Sequence, residues 1–382
     1  MTNYILNDSA QPTVPTKEFE SPINFHARLP EYSASQLVQL PQTAEALGVA
    51  GVWIKDESSR MGLPSFKILG ASWATYKALE DLAGRPFDEW NDVDELGTQV
   101  RERTKIRRLS AATDGNHGRA VARVARWLGL ESIIFVPQGT AQARIDAIAD
   151  EGATVEVVNG TYDEAVARSA EEAGDECIVV SDTSWEGYKQ IPGWVIDGYS
   201  AIFQEAATQF SESSEDYPDV VVVQMGVGAL AASVVRYHRS VDGPGSRILG
   251  VEPDTAACVL ESIKAGEPVA VPGPHLSIIA GLNCDTPSLI AWPDLKGGID
   301  AFISVSDEEA KEGMRALAGQ GVVSGETGAA GLAGLTEAVE VSELVNALGL
   351  NADSRILLIS TEGATDPEAY EQITGVSVES SN

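Results

Sequence analysis

The chain has 382 residues, 43% of them hydrophobic, with 36 glycines, and a mean hydropathy of −0.05, which excludes a disordered or fibrous protein and fits a globular α/β one of two domains. Acidic residues outnumber basic ones 57 to 26, for a net charge of −31, which repels nucleic acid and anionic membranes and excludes both as partners. Three cysteines, Cys177, Cys258 and Cys284, without Cys-x-x-Cys spacing, and four scattered histidines give no expectation of a metal site.

Only nine of the basic residues are lysines, a balance that resembles proteins of high-salt cytoplasm. The opening Met1-Thr2-Asn3-Tyr4 has no basic stretch, and the most apolar run, Val220 to Val235, is shorter than a membrane span and contains Gln224. A cytoplasmic location is expected. The thiols are then expected to be reduced, with a Cys258–Cys284 bridge left open.

In chain order, residues 1 to 20 read as an irregular arm and Tyr32 to Leu47 as mixed helical spacing, followed by a strand over Gly51 to Lys55. The loop Ser58 to Pro64 leads to a helix that starts at Lys67 and runs through Leu79. The polar stretch from Asp81 to Arg103 is read as a domain crossing. A strand over 108–113, the turn Asp114-Gly115-Asn116-His117-Gly118 and a helix from Arg119 come next. Strands over 132–136, 154–158 and 177–180 alternate with helices over 141–151 and 162–173, spacing that predicts a parallel sheet. A long helix over 193–209 precedes the strand Asp219 to Met225, the loop Gly226-Val227-Gly228-Ala229-Leu230 and its helix, and a strand over 247–252. Strands over 301–305 and 355–360 and helices over 307–319 and up to Leu348 close the chain. The division expected is a large domain over 1–80 and 200–382 and a small one over 81–199.

Three features carry chemistry. Lys67 is a lone lysine in an otherwise apolar helix start; desolvation turns such an amine into a nucleophile suited to an aldehyde, although a lysine stretched along a helix end toward solvent is the commoner case. The glycine loop follows an apolar strand and opens a helix, so its amides and dipole can hold a phosphate. A dinucleotide fold competes for it, with Glu252 placed to bind a ribose. A nucleotide explains neither Lys67 nor the turn at Asn116, whereas pyridoxal 5′-phosphate explains all three.

Ser65-Phe66-Lys67, Gly115-Asn116-His117-Gly118, Gly226-Val227-Gly228-Ala229-Leu230 and Ser360-Thr361-Glu362-Gly363 resemble the fold type II pyridoxal phosphate enzymes, the group of tryptophan synthase β and threonine dehydratase. Asp114 before Gly-Asn, Asp182-Thr-Ser-Trp-Glu-Gly-Tyr188 and Ala280-Gly-Leu-Asn-Cys284 resemble the diaminopropionate ammonia-lyase family within it. The resemblance implies two parallel-sheet α/β domains with the cofactor between them, a homodimer, and elimination of 2,3-diaminopropionate, D and L, to pyruvate and two ammonia. It implies Lys67 as cofactor anchor and base for the L isomer, Asp114 as base for the D isomer, and Asp182 as partner of the β-amino group. Asn116 is expected on the ring oxygen, Gly226, Val227, Gly228, Ala229 and Leu230 on the phosphate, and Thr361, or Ser360 if the register slips, on the ring nitrogen. Thr113, Asp114, Gly115 and His117 are expected around the substrate. A serine or threonine dehydratase of the same fold, a nicotinamide-dependent dehydrogenase and a catalytically idle cofactor binder stay open as alternatives.

Overall fold

The computed structural model describes residues 3–13, 20–113 and 115–378. The chain divides into two compact units, one of Met1–Phe19, Ala34–Ser59 and Ile202–Asn382, the other of Glu20–Ser33 and Arg60–Ala201.

The first unit is built on a seven-stranded sheet in the order Tyr4–Leu6, Ala301–Val305, Arg247–Pro253, Val220–Gln224, Arg355–Ser360, Gly51–Asp56, Gln36–Gln39. The five inner strands run parallel and the two edge strands antiparallel. Parallel strands are covered on both faces, so they read as continuous apolar runs rather than alternations: Val220, Val221, Val222 and Val223 are all fully buried. One polar cluster is enclosed here. Lys55, with no exposure, donates to Glu205 at 2.9 Å, to the Ser35 carbonyl at 2.7 Å and to Gln209 at 3.0 Å, the partnering a buried ammonium requires.

The second unit carries a four-stranded parallel sheet in the order Thr154–Val158, Glu131–Pro137, Arg108–Ala112, Cys177–Val179. Helix Lys67–Ala83 packs here, on helices Gln190–Tyr199 and Asn116–Leu128. Its approach to Gln190–Tyr199 is backbone-close: a Cβ on Gly70 would meet Tyr199 at 2.5 Å, and one on Gly198 would meet the Leu69 carbonyl at 2.6 Å. Two glycines therefore decide which unit the lysine helix joins, and that differs from the expectation that residues up to 80 belong with the large domain.

Four local expectations are corrected. The helical spacing of 32–47 covers an edge strand, Gln36–Gln39, and only a short helix, Pro41–Leu47, started by its proline. The polar stretch expected as a crossing folds as helix Val93–Arg103: Asp92 accepts from the Glu95 amide, acids occupy the first turn and arginines the last, and Leu96 and Val100 face the core. The helix of 193–209 is two helices, Gln190–Tyr199 and Ala201–Glu212, with Ser200 between them. The N-terminal arm contains Tyr4–Leu6, paired with Ala301–Val305.

Glu252 serves a structural purpose. It is fully buried, and its two carboxyl oxygens accept the Val259 and Leu260 amides at 2.8 Å each, capping helix Cys258–Ala265 from outside. Burial pushes its carboxyl up to about 8 against the pull of those two amides. Glu252→Ala strands two buried donors and opens a cavity, so a loss of about 2–3 kcal/mol in unfolding free energy is expected from urea titration; an unchanged midpoint would contradict this role.

Candidate active site

Lys67 is the first residue of its helix, after Phe66 in helical conformation and with no side-chain cap. A cation there lies at the wrong end of the helix dipole. Asp182 supplies the compensation, its Oδ2 2.6 Å from Lys67 Nζ, with side chains 24% and 8% exposed. Burial pushes the Asp182 carboxyl up, but the Lys67 ammonium, His117 and the hydrogen bond from Lys67 outweigh it and hold it at about 2. Tyr199, fully buried, packs against Phe66 with ring centroids 4.6 Å apart and the planes tilted by 59°. Burial raises its hydroxyl, with Lys67 pulling the other way.

The turn before Lys67 is held from behind. Met61 and Gly62 both adopt positive φ, 51° and 71°, and the Met61 carbonyl accepts from Arg123 at 3.0 Å. Arg123 is fixed in turn by Glu151 through contacts of 2.5 and 2.9 Å. The Asp182 loop is pinned by Tyr188, whose hydroxyl donates to the Val179 carbonyl at 2.7 Å and accepts from the Ser181 amide at 3.1 Å. Trp185 stacks on Tyr188, centroids 4.1 Å apart.

The asparagine turn lies in the same unit. Thr113 Oγ1 accepts from the Gly115 amide at 2.9 Å, and the helix starts at Asn116, three residues earlier than the sequence suggests. Its first-turn amides have no partner within the helix and offer an anion a place. His117, 3% exposed, lies 2.8 Å through Nε2 from the Val180 carbonyl, tying this helix to the segment that carries Asp182. Asp114 lies outside the described residues.

The remaining candidates are in the other unit. After strand Val220–Gln224, Gly228 takes a φ of 94° as N-cap of helix Ala229–His238, without a side-chain cap. A Cβ on Gly226 would lie 3.1 Å from Cys284 Sγ and from the Gly281 carbonyl. The stretch Gly226 to Leu230 thus forms a turn crowded at Gly226 that leads into a helix start, the form a phosphate-holding turn takes. Cys258 and Cys284 are not joined by a disulfide. Ser360 is fully buried and hydrogen-bonds Ser324 at 2.8 Å, whereas Thr361 Oγ1 accepts from Gln224 at 3.2 Å. Glu252, spent on its helix, is not available to a ribose, which removes the feature that favoured a dinucleotide.

A lysine amine and an uncapped glycine turn at a helix start are the parts pyridoxal phosphate requires, so the residues present fit that cofactor. Residues 29–362 match the family model described as pyridoxal-phosphate dependent enzyme. Over 364 residues the chain is 36% identical to the diaminopropionate ammonia-lyase of Salmonella typhimurium, covering 91% of this chain and 90% of that one. The chain belongs to the diaminopropionate ammonia-lyase family of pyridoxal-phosphate dependent enzymes. The Escherichia coli member is also 36% identical, over 97% of this chain and 94% of its own length. The crystal structure of an Escherichia coli diaminopropionate ammonia lyase with an aminoacrylate-PLP azomethine reaction intermediate superposes with a TM-score of 0.87 at 33% identity, over 98% of this chain and 97% of that one. Maize serine racemase, 22% identical with a TM-score of 0.72 over 92% of this chain and 95% of that one, shares the fold. The fold class expected from the sequence, a fold type II α/β enzyme, is borne out. Among the described residues no helix is long and apolar enough to cross a membrane.

Sequence reasoning missed Gln224, Tyr199 and the Arg123–Glu151 support. Only Gln224 left a signal, as the one amide in a run of valines. Two outcomes are expected. Tyr188→Phe strands the Ser181 amide and destabilises the protein by about 1–2 kcal/mol in urea, with faster amide exchange at Ser181. The Asp182 carboxyl, depressed from 3.8, contributes stability that is present above about pH 4 and is lost as the pH falls toward 2; acid titrations of Asp182→Asn should lack that limb.

Proposed function

We propose that this protein eliminates the β-amino group of 2,3-diaminopropionate, from both the D and L isomers, to give pyruvate and two ammonia, working as a homodimer in the cytoplasm. The observation that carries this reading is the Lys67–Asp182 pair, 2.6 Å apart, in a chain 36% identical to diaminopropionate ammonia-lyases.

Lys67 would hold the cofactor aldehyde, the amides of Gly226, Val227, Gly228, Ala229 and Leu230 its phosphate, Asn116 its ring oxygen and Thr361 its ring nitrogen. Bound, pyridoxal phosphate supplies the electron sink that acidifies the substrate Cα proton. The amides at the start of helix Asn116–Leu128, beside Thr113, Gly115 and His117, would take the substrate carboxylate. Lys67, released when substrate takes its place, removes the Cα proton of the L isomer, and Asp114 that of the D isomer from the opposite face. Despite its burial, Asp182 is held at about 2 by the Lys67 ammonium beside it, and the substrate's β-ammonium is the cation that can replace Lys67 as its counter-charge. Asp182 therefore binds the β-ammonium rather than giving it a proton. A hydroxyl substrate brings no such charge, which favours an ammonia-lyase over a dehydratase.

Purified protein should absorb visible light and be bleached by borohydride; a colourless protein would sink the reading. Both isomers of diaminopropionate should be turned over, with kcat/KM about 10–100-fold above L-serine and D-serine, the worth of one charge-assisted contact. Equal turnover of serine would favour the dehydratase. Asp114→Asn should lower kcat on the D isomer by at least about 100-fold and spare the L isomer; full activity on the D isomer would remove Asp114 from its role.

A further inference from the structure

We infer that Gln224 is a positioning residue that sets the direction of the Thr361 hydroxyl, so that Thr361 presents its proton, not a lone pair, to the cofactor ring nitrogen. This rests on the assignment of Thr361 to that nitrogen.

Gln224 ends a strand whose four preceding residues are fully buried valines, and is itself 2% exposed. An amide in such a place has to be hydrogen-bonded to be tolerated. Its Nε2 lies 2.9 Å from the Thr327 carbonyl, 2.9 Å from that of Ile359, 3.3 Å from that of Gly328 and 3.2 Å from Thr361 Oγ1. Carbonyl oxygens only accept, so three of these neighbours demand the –NH₂ end of the side chain and exclude its flipped form. An amide –NH₂ has no lone pair to offer. The two N–H protons are shared among the three carbonyls and Thr361; in its contact with Gln224 the Thr361 oxygen can only accept, and its own proton points elsewhere.

Two physical effects follow. A hydroxyl that accepts one hydrogen bond is polarised into a stronger donor for the next. The positive –NH₂ end, 3.2 Å from Oγ1, also opposes a second positive charge on the far side of that oxygen. Both favour a neutral ring nitrogen that accepts from Thr361 over a protonated one that donates to it. Because the same amide binds the Ile359 carbonyl beside the Thr361 strand end and two carbonyls at the start of helix Glu326–Val339, the direction is built into the backbone frame. Ser360, engaged with Ser324, is outside this arrangement.

The test uses holoenzyme reconstituted with pyridoxal phosphate labelled with ¹⁵N in the ring. Wild-type protein should show the ring nitrogen as a neutral hydrogen-bond acceptor by ¹⁵N NMR. Thr361→Val should shift that resonance by removing the donor. Gln224→Met, of similar length without a donor, should also shift the resonance and the visible absorbance maximum, and lower kcat about tenfold, the equivalent of one lost hydrogen bond, with little change in KM. Gln224→Leu, a second variant without a donor, should shift the resonance in the same direction, and carries the test if Gln224→Met fails to hold cofactor. The double variant Gln224→Met/Thr361→Val should match Thr361→Val alone. A resonance that moves in Thr361→Val but in neither Gln224 variant would overturn the inference and leave the Thr361 assignment standing. A resonance that does not move in Thr361→Val would overturn the assignment and the inference with it.

Discussion

The arrangement of the second unit turns on one ion pair. An ammonium at the start of a helix is opposed by the helix dipole and by burial, and Lys67 tolerates both because Asp182 lies 2.6 Å away. A pair of that kind is only as good as its geometry, since a small displacement leaves two desolvated charges without adequate compensation. Much of the surrounding packing serves that geometry. The glycine contact of Gly70 with Gly198 sets the lysine helix, Arg123 and Glu151 brace the turn before it, and Tyr188 and the His117–Val180 contact set the aspartate loop.

The other unit solves a different problem with backbone rather than charge. The turn at Gly226 offers amide donors and, in place of a basic side chain, the start of helix Ala229–His238. Gln224, one turn of sequence earlier, points the same strand's last side chain at Thr361. A single strand end thus carries both the phosphate-type turn and the group that orders the Thr361 hydroxyl, and the all-valine run behind it gives that end a rigid base.

Much of this was legible in the sequence for a physical reason. Parallel strands buried on both faces appear as apolar runs, so the alternation from Arg108 to Val180 could be read directly, as could the strand and glycine turn at 220–230. Amphipathic surface segments were harder. Helix Val93–Arg103 hides its few core residues among charges, and strand Gln36–Gln39 is a four-residue edge. The unit boundary was misplaced because it depends on the Gly70–Gly198 contact between helices more than a hundred residues apart, which leaves no local trace. Lys55 makes the same point more sharply. It is more deeply buried than Lys67 and sits in an apolar strand, so the reasoning that singled out Lys67 applied to it equally. What separates them is exposure: Lys55 is enclosed by Glu205, Gln209 and the Ser35 carbonyl, whereas Lys67 keeps about a quarter of its side chain exposed beside the Asp182 carboxylate. Co-occurrence with the asparagine and glycine turns, not burial, is what singles out Lys67.

The same comparison bears on substrate choice. Asp182 is anionic because Lys67 is beside it, and its ionised state has a large desolvation term to overcome. On the proposal that Lys67 acts as a neutral amine on the Cα proton once substrate has displaced it, it no longer serves as a full counter-charge, and the carboxylate is left buried with less to stabilise it. A substrate that carries a second ammonium restores the balance, while one that carries a hydroxyl offers only a neutral hydrogen bond, roughly half as strong as the charge-assisted one. Preference for a diamine over a hydroxy amino acid then needs no separate recognition pocket. It follows from the electrostatic debt created when the lysine that balances Asp182 is taken up by the chemistry.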